Sequence, residues 1–403
     1  MINRILGFGI IQALNYISPI IILPILAKSL SLSSFGVYSV YITIASFGAI
    51  IADMGISTVT AQKMSRAQTK EITAEILGSA LTTRVSLTLI TYCAGSTIGL
   101  IFFNNEFNAI NIIITAIGTL GIVANPSYYY IAKNEIKEFV ITNSIAKAVT
   151  AILMLILSTQ GMTITIALAA TFTPPLIASI VLNKKLFLKY EISCKNINPI
   201  QAFQELIKIK TIGISSLMAW IYISCPIIIT AKYLGPESAA LYGAAERVMN
   251  AVKSLLTPFL NAIHPIIFKD IDKKRKVYRS KILQIIQISF IFCLIISSFT
   301  IWYSSEIFEF IDNNKYSKSA SILSILSIIP LFFAISNILG NYVLIANSMN
   351  KQYFKSILSG LIVFAVLNYF NKQNPENIAI SAVAAEMVVC LLMSIYSYRF
   401  LSK

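Results

Sequence analysis

Between Tyr233 and Pro265, Glu246, Asn250, Lys253, Thr257 and Asn261 follow one another at steps of three or four residues. At helical pitch they share one face, with Gly243 and His264 at its ends and Arg247 and Ser254 along its border. The stretch is apolar and long enough to cross a bilayer, where a charged side chain near the centre costs about 2.5 to 3.5 kcal/mol on insertion scales. Such a face turns toward a bundle interior or a wet cavity. Other apolar runs carry Arg84, Lys147, Asp53 and Glu386. The charges inside apolar runs are thus Arg84, Lys147, Arg247 and Lys253 against Asp53, Glu246 and Glu386. This basic excess suits an anionic ligand, because Arg pairs bidentately with phosphate oxygens and Lys acts as a point charge. Several of these residues also admit a plainer reading. Lys147 is within snorkelling reach of a membrane face, Asp53 reads equally well as an interfacial carboxylate, and Glu246 reads first as a structural partner of Arg247 and second as a proton-sensitive coupling group. Glu386 sits near the middle of the last run, out of reach of either face.

The elements that must hold these residues are membrane helices. The chain has 403 residues, 56% hydrophobic and 12% charged, against about 25% charged in a soluble domain. Nearly every segment is an apolar run of about 17 to 25 residues, the length that spans a hydrocarbon core about 30 Å thick. The runs are continuous and lack the alternating pattern of a transmembrane barrel. A net charge of +15 could suggest a nucleic-acid partner. Most of the Lys and Arg instead gather in alternate loops, the positive-inside asymmetry, which puts both termini in the cytoplasm and leaves no need for nucleic acid. The five cysteines, Cys93, Cys194, Cys225, Cys293 and Cys390, are scattered without a CxxC pair and read as core residues. No metal site is expected. The first run lacks a cleavage site for a signal peptide. No nucleophile, metal cluster or phosphate-binding Gly loop occurs, and the single histidine, His264, stands before Pro265 at a span end, so an enzyme is not expected.

Twelve spans are predicted, at about residues 5–27, 35–61, 76–103, 109–131, 139–158, a sixth ending near 182, then 211–231, 233–265, 282–303, 320–345, 356–370 and 377–398. Asn15 lies in the first, among prolines. Tyr128, Tyr129 and Tyr130 near the end of the fourth read as an interfacial belt ahead of a sugar-stacking platform. The longest exposed segment, residues 183–210, is rich in Lys and contains PIQAFQELIKIK, which reads as an amphipathic interfacial helix. It divides the chain into a six-helix bundle over residues 1–182, a basic cytoplasmic linker over 183–210 and a second six-helix bundle over 211–403. The architecture expected is an all-α polytopic membrane protein of two pseudo-symmetric bundles.

The halves share a local motif. Leu30-SLSSFGV-Tyr38 and Leu234-GPESAAL-Tyr242 have the same spacing and the same place in each half. The longer signatures LSLSSFGVYSVY with DMGIS, and YLGPESAALYGAAERV with the striped helix ending in HP, resemble the polysaccharide-transporter branch of the multidrug/oligosaccharidyl-lipid/polysaccharide exporter superfamily. Within it they are most similar to Wzx-type O-antigen flippases. Gly235 keeps the glycine usual after Leu, and Ser31 replaces it in the first half.

The resemblance implies a V-shaped pair of bundles around a cationic central cavity that opens alternately to each side of the bacterial cytoplasmic (inner) membrane. The cargo implied is an undecaprenyl-diphosphate-linked oligosaccharide, an O-antigen or related repeat unit for lipopolysaccharide. Membrane lipids, a polysaccharide polymerase and a chain-length regulator are the further partners. No cofactor is expected, and H+ or Na+ coupling stays open. Arg247 and Lys253 are the candidates for the diphosphate, with Arg84 and Lys147 extending the basic surface. Asn250, Asn261 and Asn15 are candidates for sugar hydroxyls, and Glu246, Asp53 and Glu386 are coupling or structural carboxylates. The alternatives are a multidrug or cation antiporter of the same superfamily, and a membrane polysaccharide polymerase, which would need a large outer loop.

Overall fold

A computed structural model of the protein describes residues 21–67, 69–102, 108–133, 135–192, 199–255, 275–312 and 315–402. Among them, ten stretches are helical, long and apolar enough to cross a membrane. The chain divides into two compact units, Met1–Leu217 and Met218–Lys403.

In the first unit a helix over residues 21–29 (α1) is followed by α2 (Leu32–Asp53), α3 (Ile56–Arg66), α4 (Lys70–Phe102), α5 (Ala109–Val123), α6 (Ser127–Ala132), α7 (Ile136–Ser158) and α8 (Ile164–Tyr190). Ser31 separates α1 from α2. It is extended at φ −63° and its hydroxyl accepts from the amide of Ser34, a side-chain N-cap. A negative φ there needs no glycine, which is why Ser can stand where the second half has Gly235. The second predicted span ends early: Met54 and Gly55 are left-handed, at φ 36° and 87°, so the helix breaks at Asp53 and restarts as α3. The fourth breaks at Asn125-Pro126, where proline lacks the amide to continue α5. Residues 183–190 belong to α8, and residues 199–210 open the next helix.

Two glycines on α5 set its distance from α8. A Cβ on Gly118 would lie 2.1 Å from Phe172 Cγ, and one on Gly121 would lie 2.7 Å from Leu176 Cα, the close small-residue approach common between membrane helices. Around α7, Ile141, Ile145, Ile152 and Ile156 face outward. An apolar outer stripe like this belongs against lipid.

The tyrosines of α6 correct the expectation of an interfacial belt. Tyr128, Tyr129 and Tyr130 are all fully buried, packed with Ile56, Met64, Leu77, Leu182 and Leu186. The short helix after Pro126 tucks them under α3 and α8, and the Tyr129 hydroxyl meets polar partners: it reaches Glu135 and Tyr190, and Lys189 donates to it at 2.9 Å.

The second unit takes in most of α9 (Pro199–Ser254) with α10 (Arg275–Trp302), α11 (Ser304–Asp312), α12 (Ser319–Leu326), α13 (Ile329–Ile338), a π-helical turn Leu339–Ile345, α14 (Asn350–Phe370) and α15 (Pro375–Ser402). The apolar stretch Gly213–Ser254 is 42 residues long. At 1.5 Å per residue that is about 63 Å, twice the hydrocarbon thickness, so it holds two spans. The break is Gly235, at φ 85° and ψ 169°, a conformation open to glycine alone. Pro236 then starts the next helix with its φ already set. The seventh and eighth predicted spans meet at this residue. Downstream, α14 and α15 pack antiparallel and so tightly that a Cβ on Gly360 would lie 2.4 Å from Val389 Cγ2.

Candidate functional site

The second unit gathers charge in its interior. Glu386 of α15 is 3% exposed and accepts two hydrogen bonds, from Tyr222 Oη at 3.1 Å and from Ser336 Oγ at 2.7 Å. Glu246, one turn below Tyr242 on α9, is 6% exposed, and Lys253 and Arg247 both act on its carboxylate. Lys253, two turns farther along α9, is half-buried and faces Glu386 as well as Glu246. Its ammonium stands 4.6 Å from the Phe333 ring centroid, close enough for a cation–π contact. Glu246, Lys253, Glu386 and Phe333 line a cavity of about 10 Å³ together with residues such as Tyr222, Tyr242, Met249 and Ala382. That is room for about one water. The ammonium thus lies in the field of two buried carboxylates and against an aromatic ring.

Asn250 is exposed on the same helix, and Arg247 is half-buried on the other side of the face. Arg247 also acts on Tyr316, whose phenol is buried and pushed up by that burial, with Arg247 opposing. Along the stripe, Glu246 and Lys253 line the interior, the exposed Asn250 reaches the Glu246 carboxylate with a side-chain hydrogen bond, and Arg247 acts on both Glu246 and Tyr316.

The first unit has a separate ionic cluster. Arg84 is 6% exposed, with Nη2 3.4 Å from Asp53 Oδ1 and Nη1 donating to the Asn125 carbonyl at 3.3 Å. Its guanidinium stacks 5.4 Å from the Tyr128 ring centroid. Asp53 in turn accepts from the amide and hydroxyl of Ser57, tying the end of α2 to the start of α3. Asn125, freed from helical pairing by Pro126, donates its side-chain amide to Asn143 Oδ1 at 2.9 Å. Three buried atoms here, Arg84 Nε, Asn125 Oδ1 and Ser144 Oγ, have no hydrogen-bond partner among the described residues. Lys147, one turn beyond Asn143 on α7, is half-buried on the same face.

The structure thus brings Glu246, Lys253 and Glu386 together, and separately Arg84 with Asp53. Asn15 and Asn261 lie outside the described residues, as do Thr257 and His264. Tyr222, Ser336 and Phe333, which the sequence does not single out, and Tyr128, which it reads as part of an interfacial belt, complete the two clusters. Neutral hydroxyls and rings inside apolar runs give no signal until the helices pack, although Ser336 does fall in a polar run with Asn337 and Asn341. Among the described residues no group of three His, Cys, Asp or Glu could hold a metal.

Against known proteins, the fold matches transporters. The chain superposes on the lipid II flippase MurJ in an inward closed conformation with a TM-score of 0.77 at 14% identity, covering 98% of this chain and 87% of that one. An inward-facing multidrug resistance MATE family transporter of the MOP superfamily gives 0.72 at 14% identity, covering 96% and 94%. In sequence, the chain is 22% identical over 98% of its length to a protein of Escherichia coli K12 named "Putative O-antigen transporter", 96% of which is covered. A Shigella dysenteriae protein of the same name is 24% identical, with 98% and 99% covered. Residues 5–270 match the family model described as "Polysaccharide biosynthesis protein". With that match covering well over half of its length, and with buried charge held inside helices long and apolar enough to cross a membrane, the chain belongs to the polysaccharide biosynthesis protein family.

Proposed function

We propose that this protein is a flippase that moves undecaprenyl-diphosphate-linked oligosaccharide, an O-antigen or related surface repeat unit, across the bacterial inner membrane by alternating access. The observation that carries the reading is Lys253: a cation inside a membrane-spanning helix of a chain whose full-length relatives are named for O-antigen transport. The likeness to a lipid II flippase supports a lipid-linked cargo. In this account Arg247 and Lys253 meet the diphosphate. Glu246 and Glu386 hold the Lys253 ammonium when cargo is absent, and the diphosphate replaces them as its partner. A cation held by two carboxylates is desolvated in advance, so exchange to phosphate costs less than stripping water from a bare ammonium.

Asn250, with Asn15 and Asn261, is assigned to sugar hydroxyls. Lys147 extends the basic surface of the first unit. Arg84, braced by Asp53, Asn125 and Tyr128, orients that surface and offers Nε as its remaining donor. The halves 1–182 and 211–403 act as the moving bodies, with residues 183–210 joining them on the cytoplasmic side. The protein carries out no covalent chemistry. A polysaccharide polymerase and a chain-length regulator are the proteins that would take the cargo onward.

One observation favours a second reading. Two carboxylates converge on one lysine in the second unit, an acidic balance that suits a transported cation, as in a multidrug antiporter of the same fold. Complementation separates the two. In a strain deleted for its own flippase, the chain restores surface polysaccharide and gives no added resistance to cationic drugs. Drug efflux without restored polysaccharide would establish the antiporter instead.

A further inference from the structure

A second basic site lies at the end of the second unit where α14 begins and α15 finishes. Lys351 and Lys355, in the first two turns of α14, and Arg399, in the last turn of α15, surround a cavity of about 390 Å³ with Met349, Gln352, Tyr396 and Phe400. The antiparallel packing of α14 on α15 brings the start of one helix beside the end of the other. All three cations are exposed, and among the described residues none of their charged ends has an acidic partner. Three other lysines do have acidic partners: Lys185 with Glu138, Lys189 with Glu135 at 2.6 Å, and Lys315 with Asp312 at 3.4 Å. Three like charges around one cavity repel one another, so an anion entering it is attracted by all three.

The start of α14 adds to the positive field. Its N-cap, Met349, offers no capping side chain, and no acidic residue occupies the first turn. The helix dipole therefore presents its positive end, about half an elementary charge, to the same cavity. The turn leading into it passes through Ser348 at φ 60°. Both helices are membrane-spanning, and α14 has 21 residues, about 31 Å at 1.5 Å per residue, which matches the hydrocarbon thickness. Lys351 and Arg399 thus stand at headgroup level. Met349, Tyr396 and Phe400 give the cavity apolar walls beside its cations.

We propose that this cavity binds the headgroup of an acidic phospholipid from the surrounding bilayer. The phosphate sits among Lys351, Lys355 and Arg399, and the first carbons of an acyl chain lie along Tyr396 and Phe400. Basic pockets between membrane helices hold anionic headgroups by this combination of charge and apolar wall. The site is separate from Glu246, Lys253 and Glu386 and does not depend on what cargo the protein carries.

The test uses the full-length protein purified in detergent and titrated with phosphatidylglycerol, phosphatidylethanolamine or inorganic phosphate, read by native mass spectrometry and by melting temperature. Phosphatidylglycerol is retained in preference to phosphatidylethanolamine. Lys351→Gln, Lys355→Gln and Arg399→Gln each weaken that preference by about fivefold, as expected for about 1 kcal/mol per surface cation. Lys184→Gln, an exposed lysine of the first unit, leaves it unchanged. Because the three cations are exposed, the lipid-free variants melt with the parent, and a lowered lipid-free melting temperature together with unchanged lipid retention would assign them a structural role instead. An undiminished preference in the triple variant would overturn the proposal. So would competition by inorganic phosphate as effective as that of the lipid, which would mark a site for a soluble anion.

Discussion

Glu386 is held by two hydroxyls from distant parts of the chain, and its worth can be separated from its charge. Glu386→Gln keeps an acceptor for Tyr222 or Ser336 and is expected to cost about 1 kcal/mol, whereas Glu386→Leu orphans both hydroxyls and is expected to cost about 2 kcal/mol or more. Thermal unfolding in detergent measures the difference, and equal losses would mean that the two bonds contribute little. Arg84 calls for a cycle. Arg84→Met strands Asp53 and the Asn125 carbonyl; with Arg84 7% exposed and Asp53 32% exposed at the side chain, the loss should be about 2 kcal/mol, below the 3 to 5 of a fully buried pair. Adding Asp53→Asn should cost less than it does alone. Additive losses would show that the pair is not coupled.

These residues also mark what could be read before the helices were packed. The spacing of Glu246 and Lys253, seven residues apart, already put them on one face, and the structure keeps them together. Glu386 and Arg84 stood out as ionisable groups in apolar runs, yet nothing along the chain could name their partners: Tyr222 is 164 residues from Glu386 and Asn125 is 41 from Arg84. The tyrosines after Pro126 were misread because aromatics near a span end look the same whether they meet headgroups or a neighbouring helix. Only the break at Asn125-Pro126, which turns α6 inward, decides between them.

At the scale of elements, the paired motifs Leu30 to Tyr38 and Leu234 to Tyr242 perform one task by two means. Each stops a helix and starts another seven residues before a buried tyrosine, Tyr38 or Tyr242. The first does it with a Ser cap at negative φ and the second with a glycine-only conformation. The substitutions therefore do not exchange. Ser31→Gly is expected to cost a few tenths of a kcal/mol and Ser31→Ala about 1. Gly235→Ala is expected to cost about 1 to 3 kcal/mol through backbone strain alone, since a Cβ there meets nothing within 4 Å. Unfolding midpoints of the three variants check the order, and a neutral Gly235→Ala would mean that the turn relaxes to a negative φ. The span positions were legible from apolar runs. The breaks at Met54 and Gly55 were not, because hydropathy is blind to single φ angles.

For the whole molecule, the basic excess is real in composition but is not spread evenly among the buried groups. In the second unit Lys253 is matched by Glu246 and Glu386, and in the first Arg84 is matched by Asp53. Under the proposed function, what matters is which cation can leave its carboxylates for a phosphate. If Lys253 makes that exchange, Lys253→Arg should keep at least a tenth of the transport rate, whereas Lys253→Gln, which leaves two carboxylates facing each other, should lose more than nine-tenths; equal rates in the two variants would remove charge from the explanation. The most direct measurement reconstitutes the purified protein in vesicles carrying undecaprenyl-diphosphate-linked oligosaccharide in one leaflet and follows the sugar's arrival at the other. The parent chain is expected to translocate it, and the double variant Arg247→Glu and Lys253→Glu to lose translocation with its melting temperature preserved to within a few degrees. Undiminished translocation by that folded double variant would contradict the proposed function.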